Sequence, residues 1–93
     1  MPIGLLTLEL HLPYAQSLKD KRMVLQKLKA RLRTRFNVSV AELDHQDVWQ
    51  RSVIGIVSIS SDQQNLEQVL QGVERESANI LGGDLVAAHT EFL

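Results

Sequence analysis

The chain has 93 residues, of which 44% are apolar, and it contains no cysteine. This length and apolar content suffice for one sheet covered by one layer of helices, so we expect a single domain over residues 1–93. The lack of cysteine excludes disulfides, zinc–thiolate centres, iron–sulfur clusters and thiol nucleophiles. The net charge of −1 is unevenly distributed, because residues 17–35 contain eight basic side chains and one acidic one, which gives that segment +7 and the remainder −8.

The first predicted element is a strand from Ile3 to Leu12, where leucines alternate with mostly polar residues. A period of two is typical of a strand with one buried face. Pro13 ends it because proline cannot donate a ladder hydrogen bond. The run contains Glu9 and His11 and no basic residue precedes it, so we expect a strand and not a signal peptide. No window is apolar enough to span a bilayer, and we therefore expect a cytoplasmic protein without membrane association.

The second predicted element is an amphipathic helix of about 18 residues that begins after Ser17. Ser17 and Asp20 have the spacing of a capping box in which Asp replaces Glu. Leu25, Leu28 and Leu32 recur at helical spacing and predict the buried stripe. The basic side chains fall mostly on the flanks and the outer face, so we expect them to point largely into water.

The remaining segments complete an alternating pattern of strands and helices. They are a strand from Asn37 to His45, a strand from Ser52 to Ser60, a helix capped by Ser61 and ended by Gly82-Gly83, and a strand from Leu85 to Phe92. The two middle strands are joined as a hairpin. Right-handed crossovers then predict an α+β, ferredoxin-like βαββαβ fold, with a four-stranded antiparallel sheet of order 4-1-3-2 and two helices on one face.

Several stretches carry a more specific likeness. They are Gly4-Leu5-Leu6 through Glu9-Leu10-His11, SLKDKR at 17–22, RLRTRFNVSVAEL at 31–43 and HQDVWQR at 45–51. In order and spacing over positions 1 to about 60, the chain resembles the YlxP family of small bacterial domains without an assigned function. The resemblance implies a ferredoxin-like fold. Because members are often encoded beside translation initiation and ribosome-maturation factors, it also implies a link to translation, but it brings no catalytic residues.

The predicted hairpin connection has an unusual composition. Its candidate functional residues are Asp44, His45, Asp47, Trp49 and Arg51. Asp44, His45 and Asp47 are metal-ligand types, but on a short turn they need not converge, and no second cluster adds ligands. We favour a structural role, in which Trp49 covers an edge of the core and Arg51 pairs with Asp44 or Asp47. We expect neither a metal nor another cofactor.

A second set of polar residues falls on one face of the predicted sheet. Glu9 and His11 on the first strand, with His89 and Glu91 on the last, share the face away from the helices. Such groups could serve acid–base chemistry. No nucleophile, oxyanion donor or phosphate-cradling glycine loop accompanies them, so we expect a non-enzymatic protein and interpret the set as a wet rim or an interface.

The basic helix favours nucleic-acid binding. RNA-recognition motifs share this topology but stack bases on aromatic residues of the central strands, which have none here. The predicted contacts are therefore with phosphates, through Arg22, Lys29 and Arg33 on one flank and Lys27, Arg31 and Arg35 on the other. The alternative is a merely solvated basic face. With the likeness to YlxP, we predict that the partner is RNA or a ribonucleoprotein surface.

The strand from Ser52 to Ser60 is apolar on both faces, so one apolar face remains after the helices are packed. Val38, Val40 and Leu5 are expected to extend that patch. Small monomers seldom expose large apolar areas, and we therefore predict a homodimer formed through the sheet face. The alternative function is a homodimeric protein-interaction module with an acidic protein partner.

Overall fold

A computed structural model describes residues 2–93 of the chain. Its elements, in chain order, are β1 (Ile3–His11), α1 (Leu18–Arg35), β2 (Ser39–Asp44), β3 (Arg51–Ile59), α2 (Gln63–Leu81), a 3-10 turn (Gly82–Asp84) and β4 (Leu85–Phe92). The predicted βαββαβ order is confirmed. None of the helices described over this range has the length and apolar character needed to cross a membrane.

The four strands form one antiparallel sheet in the order β2-β3-β1-β4, which is the predicted order counted from the other edge. The two central strands, β1 and β3, pair along their whole lengths, from Ile3 opposite Ile59 to His11 opposite Arg51. Both helices cover the same face, with α1 against β2 and α2 against β1, β3 and β4. Within residues 2–93 no helix covers the opposite face, which is called the open face below.

The core lies between the sheet and the two helices. Its inward side chains follow the predicted periods, every second residue on the strands and every third or fourth on the helices. The fully or nearly fully buried members are Leu6, Leu8, Leu10, Leu25, Leu28, Leu32, Val40, Ile54, Ile56, Leu66, Leu70, Val73 and Leu81. Burial of this apolar surface is the main stabilising term and fixes α1 rigidly on the sheet.

The ends of α1 and α2 test the predicted capping residues. Ser17 Oγ accepts from the Asp20 amide at 3.1 Å, so Ser17 caps α1 as predicted. Asp20 Oδ2 accepts from the Gln16 amide at 2.9 Å and not from the Ser17 amide, so the reciprocal bond of the predicted capping box is displaced by one residue. The cap of α2 is Asp62, whose Oδ1 accepts from the Gln64 amide at 3.0 Å, and the prediction of Ser61 was wrong by one residue. Gly82 ends α2 as predicted, with a φ of 56° that glycine adopts without strain.

The open face is apolar at one end. Ile59 is 49% exposed there beside Val57, as predicted from the two-faced pattern of β3. Val40 points the other way and is buried, so its predicted place in the apolar patch was wrong. Leu43 takes that place because it lies over Gly55, where an added Cβ would stand 2.6 Å from Leu43 Cδ1.

Candidate nucleic-acid interface

Lys21 is buried in a helix whose other basic side chains are mostly exposed, and only 1% of its surface is accessible. It falls on the inward face of α1 with Leu25, Leu28 and Leu32. Its ammonium group makes a salt bridge of 2.9 Å with Glu42 Oε2, near the end of β2. The prediction that the basic side chains of this segment point into water was therefore wrong for Lys21.

The same ammonium group also binds backbone. Lys21 Nζ donates to the carbonyl oxygens of His45 at 2.7 Å and Gln46 at 3.3 Å. Ser52 Oγ donates to Glu42 Oε2 at 2.6 Å, so the carboxylate has two partners. We call Lys21, Glu42, Ser52 and these two carbonyl groups the Lys21 network. A buried ammonium is tolerated only when its donors are satisfied, and here the acceptors come from β2 and from the segment after it.

The segment between β2 and β3, residues 45–50, is called the hairpin loop. Its first residue, His45, has a φ of 63°, a left-handed conformation that histidine adopts more readily than most residues. The Val48 amide donates to His45 O at 3.0 Å and closes a turn. At the other end, Gln50 Nε2 donates to Pro13 O at 3.1 Å and to Ala15 O at 3.2 Å. The hairpin loop is therefore bound to α1 and to the connection that precedes it.

Two expectations for the hairpin residues were wrong. Trp49 is 51% exposed and does not cover the core. Arg51 pairs with neither Asp44 nor Asp47 in the region from 2 to 93, since no salt bridge there includes it. Its position on β3 is opposite His11 of β1, and Asp44 Oδ1 instead accepts from the His45 amide at 2.7 Å. The exposed tryptophan is thus available for contact.

Tyr14 lies in the β1–α1 connection and ties it to the 3-10 turn. Its hydroxyl donates to Asp84 Oδ2 at 2.9 Å. Desolvation raises the pKa of Tyr14 above its usual 10.0, and the hydrogen bond to the Asp84 carboxylate and its negative charge act in the same direction. Because the folded-state pKa is raised, this contact stabilises the fold below pH 10 and is lost in more alkaline solution.

The six basic residues predicted to contact phosphate differ in their surroundings. Arg31 and Arg35 both pair with Glu76 of α2, at 3.3 Å and 2.7 Å, while remaining at least half exposed. Arg33 Nη2 donates to Val40 O at 3.1 Å. In the part of the chain that the structure describes, no ion pair or side-chain hydrogen bond includes Arg22, Lys27 or Lys29. The guanidinium groups of Arg31 and Arg35 are half exposed and their ion pairs are weak, so both can still contact an anionic ligand. Arg33 is exposed and keeps further N–H donors.

The polar set on the open face is spread along the strands. His89 lies opposite Thr7, Glu91 opposite Leu5 and Glu9 opposite Ala87. These side chains and His11 form no hydrogen bonds with one another over residues 2–93, where no cluster of three or more metal-ligating side chains occurs either. The predicted shared face is correct, and it places His89 beside Glu9 in a concavity of about 200 Å³.

Comparison with known proteins assigns the family. A family described as "Protein of unknown function (DUF503)" matches residues 3–90. The chain belongs to this family. One relative, the uncharacterized protein YlxP of Bacillus subtilis (strain 168), is 46% identical over 59 residues, which are 63% of this chain and 64% of that protein. The predicted resemblance to YlxP is confirmed, over slightly less than two thirds of that relative's length.

Solved structures share the fold at low sequence identity. Rv0793 from Mycobacterium tuberculosis superposes with a TM-score of 0.58 at 15% identity and covers all of this chain and 93% of its own. SnoaB, a cofactor-independent oxygenase from Streptomyces nogalater, has a TM-score of 0.56 at 13% identity, with 99% and 90% covered. The de novo designed protein Foldit4 scores 0.58 at 10% identity, with 99% and 94% covered. These likenesses concern the fold alone.

The Lys21 network yields a stability prediction. Lys21→Met leaves the Glu42 carboxylate and two carbonyl groups without their common donor. We expect a loss of about 3–5 kcal/mol in the free energy of unfolding, as is typical when one partner of a buried ion pair is removed. Urea unfolding followed by circular dichroism measures it. Lys27→Met on the exposed side of α1 is the matched control and should change stability by less than about 0.5 kcal/mol. Equal stability of both variants would contradict the account.

Proposed function

We propose that this protein is a non-enzymatic, cytoplasmic binding domain that associates with RNA or a ribonucleoprotein surface in translation and contacts phosphates through α1. The observation that carries the proposal is the set Arg22, Lys27 and Lys29, which have no acidic partner among the described side chains. Cations of this kind displace counterions from a phosphate backbone and gain binding free energy from their release.

The helix presents these charges in a fixed arrangement. Its buried face packs into the core through Leu25, Leu28 and Leu32. This packing fixes the positions of the basic residues on the other faces. From Arg22 to Arg35 the axis rises about 20 Å at roughly 1.5 Å per residue. A preorganised row of this length can follow several phosphates of a strand without a further ordering cost for the backbone.

The acidic residues support the same orientation. Glu67 and Glu74 lie on α2, and Glu91 lies on β4, away from the β2 edge beside α1. The outer side of α1 is therefore the most basic surface, although Glu76 lies beside Arg31 and Arg35, and Asp44 and Asp47 are exposed at the hairpin loop. This basic surface would face a polyanion. The implied genomic association of YlxP relatives with translation factors favours RNA over an acidic protein as the partner.

Charge reversal on α1 tests the proposal. Arg22→Glu and Lys29→Glu, made separately, should each weaken binding to RNA or ribosomes and lower the slope of log affinity against log salt by roughly 0.7 for each lost phosphate contact with a single strand. The reason is that each variant removes a cation and adds an anion at the proposed interface. Binding to a mixed-sequence RNA at several salt concentrations measures the slope.

Arg75→Glu is the matched control, because Arg75 is an exposed arginine on α2 and its reversal changes the net charge equally. It should leave the affinity closer to that of the wild type than either α1 variant does. Equal effects of all three substitutions would show only a response to net charge. RNA binding that is equal for the wild type and the α1 variants, or absent at low salt, would contradict the RNA proposal.

The open face favours a second candidate, a homodimeric interaction module whose further partner is an acidic protein. The β2–β3 side of the open face exposes Leu43, Val57 and Ile59 along its length, and Leu5, opposite Val57, is half-buried. A second copy could cover them through the same surface about a two-fold axis. This face lies opposite α1, so a dimer would keep both basic helices accessible and is compatible with RNA binding.

Sedimentation at micromolar concentration tests the dimer. We expect a mass twice the 10.5 kDa of the chain, and we expect Ile59→Lys to shift the equilibrium to the monomer because it places a charge in the apolar contact. Met23→Lys, at an exposed apolar position on α1, is the control and should leave the dimer intact. A wild-type monomer over the whole concentration range would contradict this candidate.

A further inference from the structure

The hairpin loop carries an exposed aromatic surface that the phosphate contacts of α1 do not use. Trp49 is 51% exposed and Val48, its neighbour, is 41% exposed. We propose that Trp49 stacks on an unpaired base of a single-stranded RNA segment whose phosphates lie along the first half of α1. This inference rests on the proposed function and deepens it, because it assigns the type of RNA that the surface selects.

The hairpin loop is held in place at both ends. Lys21 Nζ binds the carbonyl groups of His45 and Gln46, and Gln50 binds the β1–α1 connection through its side chain. Its carbonyl group also accepts from the Leu12 amide at 2.8 Å. An indole mounted on a backbone fixed at both ends loses little conformational entropy when a ligand covers it. The loop is thus a preorganised platform and not a loose connection.

The hairpin loop lies near cations of α1. The hydrogen bonds of Lys21 place this loop next to the first half of α1, where Arg22 is exposed on a flank of the helix and Lys19 on its outer side. Neither residue has an acidic partner over residues 2–93. An aromatic surface for bases beside a basic track for phosphates is the combination by which proteins bind single strands.

The same region also contains acidic residues. Asp44 and Asp47 are exposed at the hairpin loop and form no salt bridge within the described part of the chain. Their charge disfavours a phosphate there, but a carboxylate can accept a hydrogen bond from a base amino group. We therefore place the base on the hairpin loop and the phosphates on α1.

Binding of a base by Trp49 and of phosphates by α1 predicts a preference for unpaired RNA. A base inside a duplex is already stacked and is withheld from a side chain, whereas a base in a single strand offers its face. A duplex can still contact α1 through its phosphates. We therefore expect single-stranded RNA to bind more tightly than a duplex of the same sequence at equal salt.

The experiment uses the intrinsic fluorescence of Trp49, which is the one tryptophan of the chain. A short single-stranded RNA of mixed sequence should quench it in a saturable titration, and the matched duplex should quench it much less. Trp49→Ala should lower the affinity for the single strand roughly 5- to 150-fold, the effect typical of losing one stacked base. The affinity for the duplex should remain unchanged, and Trp49→Phe should restore much of the single-strand affinity.

Met23→Ala, at an exposed apolar position on α1, is the control and should change neither affinity. Circular dichroism of Trp49→Ala should show the native fold, because the indole is not part of the core. Equal binding of single strand and duplex, with Trp49→Ala without effect on either, would overturn the stacking site and leave the phosphate contacts of α1 standing. Failure of both RNAs to bind at low salt would overturn the proposed function as well. A defect of Trp49→Ala confined to a protein partner would also refute stacking.

Discussion

The buried Lys21 ammonium is the constraint on which the arrangement around α1 depends. A charge with 1% exposure must find acceptors, and it finds the Glu42 carboxylate and the carbonyl groups of His45 and Gln46. A carboxylate replaced by an apolar residue, or a hairpin loop in another conformation, would leave the ammonium unsatisfied at a cost that a small domain tolerates poorly. One side chain of α1 thereby determines the path of the chain between β2 and β3.

The sequence was sufficient to predict the fold because its periods are strong and local. Alternation in β1 and the leucine spacing of α1 report which side chains are buried without knowledge of their partners. The same spacing includes Lys21, four residues before Leu25 and seven before Leu28, so a signal for its burial existed. The burial of Lys21 was not predicted because seven other basic side chains in the same segment indicate a solvated surface.

The surroundings of Trp49, Arg31 and Arg35 could not be predicted in the same way. Whether Trp49 covers the core depends on the turn of the hairpin loop, which the left-handed His45 and the distant donor Lys21 Nζ fix together. The ion pairs of Arg31 and Arg35 with Glu76 require the angle between two helices that are far apart in sequence. Such contacts follow from tertiary geometry, and residue type alone suggests only that they are possible. The sequence therefore predicts both the basic helix and the loop that contains Trp49, whereas the exposure of Trp49 follows only from the structure.

Lys21 holds the hairpin loop in place through its bonds to His45 and Gln46, and amide hydrogen exchange tests this role most directly. The Leu12 and Val48 amides, bonded to Gln50 O and His45 O, report on the loop, while the Ile56 amide in β3 reports on the sheet. In Lys21→Met, under conditions where the protein stays folded, we expect the Leu12 and Val48 amides to lose far more protection than the Ile56 amide. Equal losses at all three amides, or unchanged protection in the loop, would contradict the account.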